Sequence, residues 1–259
     1  GSVLAGELRW WLERLPNPPP ELPLPVTAAR PPVAGFAGAA VPFTLGGAET
    51  GALREIARRH RTTLFTVLLA GCHALLSRVC GVTDVLVGTP TTGRTRPEVA
   101  GLVGFFVNTV VMRGDCAGDP DFATLLDRTR DWALAAYAHQ DVPFERLVKA
   151  LVPDRDLSRP PLAQVLVQLE PDDPVPHLTG VRATRLTNVE GGIRADLEIH
   201  FHDGPDGVTG EFVYATDLFD ADAARPLADA LVRVLRRTAA EPSRRLSELD
   251  DLVPTGGTR

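Results

Sequence analysis

Lysine is all but missing from this chain: Lys149 is the single example among 27 basic residues, the rest being arginine. With abundant Ala, Gly and Pro alongside, that bias reads as GC-rich coding and carries no functional weight. Clustered cations are missing as well. The arginines are interleaved with 33 acidic residues, the net charge is −6 and the pI is near 5.5, which excludes the basic footprint that a nucleic-acid partner requires. Long apolar runs are absent; the stretch from Leu64 to Leu76 is broken by Thr66, Gly71 and His73, well short of the ~18 residues a membrane helix needs. The N-terminus has no basic start followed by an apolar run, so neither a signal peptide nor a membrane location is expected, and a cytoplasmic one is. Gly1 and Ser2 read as a cloning scar. Cysteine is scarce: Cys72, Cys80 and Cys116 form neither an even framework nor C-x-x-C, which points to buried thiols in a reducing compartment. No G-x-S-x-G occurs, and no serine or cysteine has a histidine placed by local sequence to activate it.

What is present is ample core material, with 44% hydrophobic residues in 259. GELRWWLERL reads as an amphipathic helix that stops at the proline-rich run PNPPPELPLP, and residues 16–37 form an extended linker or wrapping arm. A strand over 38–45 precedes helices over 48–60 and 62–81, the second with Thr62 or Thr63 near its start and Gly81 at its C-cap. Strands are expected over 84–88 and 104–113. A helix then opens with Asp119 as N-cap and Pro120 at its first position, and PFERLVKAL follows as another. Strand candidates are 161–169, 181–186, 195–201 and 208–219; a helix covers 230–240, and tail composition resumes at Glu241. Helices between and before strands argue for an α/β sandwich with a mixed sheet.

Six stretches could carry chemistry. GTPTTGRT, from Gly88 through Thr89, Pro90, Gly93 and Arg94 to Thr95, is one residue short of a P-loop, but Arg94 stands where lysine is needed and Pro97 interrupts the following helix, so a strand-end loop is expected. His73, beside Cys72 in an apolar helix, reads as an interior residue. Asn108 falls in an apolar strand, where its amide must be bonded either by neighbouring backbone or by a substrate cavity. In HQDVPFE, spanning His139, Gln140, Asp141, Pro143, Phe144 and Glu145, Asp141 can cap the second helix with Phe144 inserted beneath it. RDLSRPPL holds Arg155, Asp156, Ser158 and Arg159 ahead of a strand on which Gln164 and Gln168 share one face, suggesting a polar channel wall. HFHDGPDG, His200–Gly207, puts two histidines at i and i+2. The turn residues favour a hairpin over a metal pair or a general base.

The segments GTPTTGRTRPEVAGLVGFFVNTVVMRGD, AYAHQDVPFERLV and DRDLSRPPLAQVLVQL, in this order and spacing, with LFD at Leu218 and the terminal LSELDDL, resemble the three C-terminal core motifs of nonribosomal peptide synthetase condensation domains over residues 4 to 253. The phenylalanines before VNT resemble the subtype that joins two L-configured residues. The resemblance implies a chloramphenicol-acetyltransferase-like lobe, an αβ sandwich with a mixed β-sheet flanked by helices. Two such lobes form a V around a tunnel. Upstream and downstream peptidyl carrier proteins deliver phosphopantetheine-bound thioesters to it, and an adenylation domain lies adjacent. The family's H-H-x-x-x-D-G, whose second histidine handles the amine proton, sits on the N-terminal lobe and has no match here. The chain is therefore expected to be the C-terminal lobe over 38–253, preceded by the helix and connector of 3–37 and followed by a tail over 254–259, inactive alone and prone to self-association. Asn108, Gln164 and Gln168 would face the tunnel; Gly88, Thr89, Pro90, Gly93 and Arg94 would form its floor loop. His139, Gln140, Asp141, Pro143, Phe144, Arg155, Asp156, Ser158 and Arg159 would support the lobe, with Thr187 to Arg194 crossing to the partner lobe. No metal, nucleotide or directly bound cofactor is implied. The alternatives are a non-catalytic platform that recruits a tailoring enzyme or neighbouring domain and, behind it, a free-standing acyltransferase.

Overall fold

The computed structural model describes residues 3–15, 21–152, 154, 156–171, 179–181 and 192–252. Helix α1 (Val3–Arg14) ends just before the proline run and turns Trp11 inward, with Leu15 buried behind it. Beyond the prolines Leu22 and Leu24 are also buried. Residues 21–37 are thus an arm wrapped on the body.

Alternation builds the sheet. In β5 (Leu197–Gly204) Leu197, Ile199 and Phe201 are buried while His200 and His202 on the other face are half-exposed. In β6 (Gly207–Ala215) Val208, Phe212 and Tyr214 point inward against a half-exposed Glu211, as a period of two dictates. With β1 (Gly38–Gly46), β2 (Asp84–Thr91), β3 (Asn108–Asp115) and β4 (Val165–Pro171) they form one mixed sheet in the order β1-β6-β5-β4-β2-β3. β4 runs parallel to β2 and β5, and the other pairs are antiparallel.

Helix α3 (Leu64–Cys80) is buried without a break from Thr66 to Ser77, which is why its sequence is apolar on every side. Thr63 caps it by accepting the Thr66 N–H at 3.2 Å, and Gly81 ends it in the left-handed region. It lies against α5 (Phe122–Ala138) and α7 (Ala221–Ala240), while α2 (Gly47–Arg59) touches both α3 and α7. Gly71 and Gly114 are close approaches: a Cβ at the first would lie 2.4 Å from Leu235, and at the second 2.4–2.7 Å from the His73 ring.

Several expected boundaries move, each for a tertiary reason. Asp119 does not cap α5: it adopts φ 52° and its carboxylate accepts Ser247 N at 2.8 Å and Ser247 Oγ at 2.7 Å, leaving Asp121 to cap by accepting Thr124 N at 2.8 Å. The same contact turns the expected tail into a 3₁₀ helix (Leu246–Leu252) with Leu246 and Leu249 buried. α7 starts at Ala221, capped by Asp220, and carries Pro226 inside it, nine residues ahead of the expectation over 230–240. β3 begins at Asn108, so Gly104–Val107 belong to the preceding loop. Of the strand expected over 181–186, residues 182–186 lie outside the described residues.

Burial has one titration consequence. The His73 imidazole is fully buried, 3.5 Å from Thr129 Oγ1, and burial pushes its pKa from 6.5 down to about 3. A folded value below the unfolded one means that the unfolded chain takes up the proton first as pH falls. The stability that neutral His73 contributes is complete above about pH 6.5 and is lost progressively toward pH 3. Resistance to urea unfolding is expected to weaken as pH falls through this window, with a slope of at most ~1.4 kcal/mol per pH unit from this one group. His73→Leu should remove that part of the slope; an identical pH dependence in the variant would refute the assignment. The three cysteines are buried too, with Cys80 pushed up to about 12 and Cys116 to about 11 by burial.

Candidate functional site

The motif residues meet where the α5–α6 turn, β3 and the wrapping arm converge. Helix α6 (Phe144–Leu151) begins after Pro143, whose side chain has no acceptor to offer its first turn. The missing partner comes from the start of β3. Asn108 Oδ1 accepts the Phe144 N–H at 3.0 Å, and Asn108 Nδ2 donates to the Gln140 and Val142 carbonyls at 2.8 Å each. All three bonds go to backbone, so this amide locks the turn. Asp141, expected to cap α6, is exposed, and no bond from its side chain to the helix start is seen among the described residues. His139 stacks on Trp10 with centroids 4.3 Å apart, its carbonyl accepts Trp11 Nε1 at 3.0 Å, and Gln140 Nε2 donates back to the Tyr137 carbonyl. The HQDVPF stretch therefore ties α1, α5, α6 and β3 together.

A second knot fixes the arm. Gln164 Oε1 accepts Leu22 N at 2.7 Å, and its Nε2 donates to Leu22 O at 3.3 Å and to Asp196 Oδ2 at 3.0 Å. Asp196 is nearly fully buried and is gripped by both Arg30 nitrogens, at 2.9 and 2.5 Å; Arg30 also donates to the Ser158 carbonyl. The hydrogen bond to Asp196 holds the Arg30 pKa above its usual value. The sequence reading did not single out Arg30 or Asp196. A lone arginine in a proline-rich arm carries no local signal; the signal is a partner 166 residues away. The two glutamines expected on one strand face are split, since Gln164 lies one residue before β4, while Gln168 on the strand is only half-buried and bonds Glu170 at 3.3 Å. Asp156 accepts the Ser158 N–H, which lowers its pKa, and pairs with Arg159 at 2.8 Å; Arg159 also pairs with Glu21. Arg155 and residues 187–191 lie outside the described residues.

Between these knots is a cavity of about 530 Å³. Leu86, Phe144, Val148 and Leu162 supply apolar walls, and Glu145 and Arg159 also line it. Phe144 therefore faces this space as well as packing on the core.

Gly88, Thr89 and Pro90 are strand residues, paired with Val111, Val110 and Thr109, and a Cβ on Gly88 would sit 2.5 Å from Leu166 where β2 meets β4. The loop proper follows. Gly93 is left-handed, at φ 63°, and Arg94 donates to the carbonyls of Val99, Ala100 and Gly104. The helix α4 (Pro97–Ala100) behind it is a single turn. This is no phosphate cradle: the guanidinium is spent on protein carbonyls.

HFHDGPDG is a hairpin, with Gly204 and Gly207 paired across Pro205-Asp206. His200 Nε2 bonds the buried Glu198 carboxylate at 2.9 Å. Burial raises the Glu198 pKa, but the bonds from His200 and the Arg194 N–H outweigh it and hold the group below its usual value. His202 Nδ1 is 3.9 Å from Glu170, beyond hydrogen-bonding distance, and its side chain is 28% exposed. That is not the recessed, carboxylate-oriented imidazole a general base requires. Among the described residues no group of three His, Cys, Asp or Glu side chains is placed to hold a metal ion.

Comparison with known proteins gives a single direction. The family model described as Condensation domain matches residues 4–257. The "Dimodular nonribosomal peptide synthase" of Bacillus subtilis (strain 168) is 39% identical over 261 residues, covering 98% of this chain and 11% of that protein. The "Isonitrile lipopeptide synthase" of Mycobacterium tuberculosis (strain ATCC 25618 / H37Rv) is 41% identical over 266 residues, covering all of this chain and 10% of that protein. Among solved structures, the complex of the X-domain and OxyB from teicoplanin biosynthesis matches with a TM-score of 0.90 at 30% identity, over 98% of this chain and 56% of that one.

Proposed function

We propose, from the premise that this chain belongs to the condensation-domain family, that it is the acceptor-side, C-terminal lobe of a two-lobed domain that forms an amide bond between carrier-bound thioesters. The observation that carries this reading is one of extent. The chain matches 98% of itself but only 56% of the solved X-domain chain, while the loop before β3 leaves Leu102, Val103 and Phe105 exposed, as a surface meant for a second lobe would.

In this reading the amine of a downstream aminoacyl thioester attacks an upstream peptidyl or acyl thioester, displacing the phosphopantetheine thiol. Both pantetheine arms belong to the carrier proteins, which an adenylation domain loads. The proton-handling histidine belongs to the other lobe. Asn108 acts by holding α6 in place, and α6 in turn walls a recess large enough for an amino-acid side chain.

The test combines this chain with the polypeptide encoded immediately upstream and two loaded carriers, and follows the amide product by mass spectrometry. Product is expected only when both polypeptides are present, and His202→Ala should leave the rate unchanged. Turnover by this chain alone, or a large loss in the His202 variant, would sink the lobe assignment.

One observation favours a second reading: the similarity to an X-domain solved in complex with OxyB makes a non-catalytic recruiting platform the alternative. It predicts no amide product from the reconstituted lobes, together with saturable binding of an enzyme encoded in the same cluster.

A further inference from the structure

We propose that Arg94 is a positioning residue. Its guanidinium staples residues 95–107 into a preformed tongue, so that Leu102, Val103 and Phe105 are presented together as an apolar tip. The occupant of that tip, the upstream lobe, rests on the two-lobe reading; the staple itself does not.

The tongue cannot hold its shape by local structure. α4 is one turn of four residues, far below the length at which a helix is stable in isolation, and its last carbonyls have no N–H four residues on within the helix. Outside the turn's own bonds its backbone ties are Val99 N to Arg96 O at 3.1 Å, Leu102 N to Val99 O at 3.3 Å and the Gly101 N–H to Val99 O. Arg94 adds side-chain donors to these carbonyls. Nη1 reaches the Val99 and Ala100 carbonyls, Nη2 reaches that of Gly104 at 3.3 Å, and the guanidinium lies over the Phe106 ring with 4.5 Å to its centroid. One planar fork thus joins the beginning, middle and end of the loop. A lysine, a single-point donor, could not. Gly93 makes the turn back possible, since its φ is 63° and a Cβ there would fall 1.8 Å from the Phe106 carbonyl oxygen.

Among the described residues the tip has no partner. Val103 is fully exposed and Phe105 is 83% exposed. A tip that is ordered before contact binds without a folding cost; if loss of the staple left the tongue ordered only a tenth of the time, apparent affinity would fall ~10-fold.

Hydrogen exchange on the full chain tests the staple. Arg94→Ala should speed exchange of the Val99 and Leu102 amides at least ~10-fold, Arg94→Lys should give an intermediate rate, and the melting temperature should not move. Unchanged exchange overturns the proposal. Affinity for the upstream polypeptide tests the positioning role: Phe105→Ala and Arg94→Ala should each weaken it, with partial rescue in Arg94→Lys. Weakening by Phe105→Ala but not by Arg94→Ala overturns positioning while leaving the two-lobe reading standing. Absence of any binding by the wild-type chain overturns the occupant assigned to the tongue, and with it that reading.

Discussion

Gly114→Ala is expected to destabilise this protein by about 3 kcal/mol, seen as a fall of roughly 6–12 °C in melting temperature for a chain of this size. The added methyl would lie 2.4–2.7 Å from the His73 ring, a contact that real Cβ atoms do not make. The ring cannot swing away. It is fully buried on α3 and faces Thr129 of α5, in an interior packed like a crystal. Backbone strain plays no part, because Gly114 lies in ordinary strand conformation and its φ is not positive. The control is the double variant. His73→Ala removes the two ring contacts and leaves only its own Cβ at 2.7 Å, so His73→Ala/Gly114→Ala should be less destabilised than the sum of the singles. Strict additivity would show that the clash is relieved elsewhere.

Asn108→Asp is expected to cost about 2–3 kcal/mol at neutral pH and less at low pH. The wild-type amide is matched atom for atom to its setting, with one oxygen facing an N–H and one NH₂ facing two carbonyls. An ionised carboxylate keeps the first bond but sets an anion against the Gln140 and Val142 carbonyl oxygens; each lost bond is worth about 1 kcal/mol and the repulsion adds to it. Protonation restores one donor. The penalty should therefore grow as pH rises from 4 to 8 and shrink on acidification, opposite in sign to the His73 effect. Asn108→Ala should be nearly independent of pH over the same range. Far-ultraviolet melts at both pH values separate the two. A pH-independent loss in Asn108→Asp would mean that water has replaced the bonds. Because α6 hangs from this amide, any amide formation by the proposed lobe pair should fall in parallel with folding of the α5–α6 turn.

Most secondary structure and the mixed-sheet class were legible in the sequence, since β5 and β6 alternate with a period of two and α3 is a continuous apolar run. The hairpin in HFHDGPDG was readable from its turn residues. The failures share one cause. Asp119 looks like a helix cap, Asp141 looks like another, and LSELDDL looks like a tail, because cap and tail signals are read over a few residues. In the fold, Asp119 is claimed by Ser247 and the α6 cap comes from Asn108, 36 residues earlier in the chain.

The local pattern of apolar and turn residues, together with the order of three motifs, determined which elements form and to which family the chain belongs. Both are properties of neighbours along the chain. Tertiary structure alone decided what the polar motif residues do: Asn108 holds a turn, Gln164 holds an arm with Arg30 and Asp196, and Arg94 closes a loop. A buried donor or acceptor must be satisfied by whichever group the fold brings within 3 Å or so, and sequence distance has no bearing on which group that is.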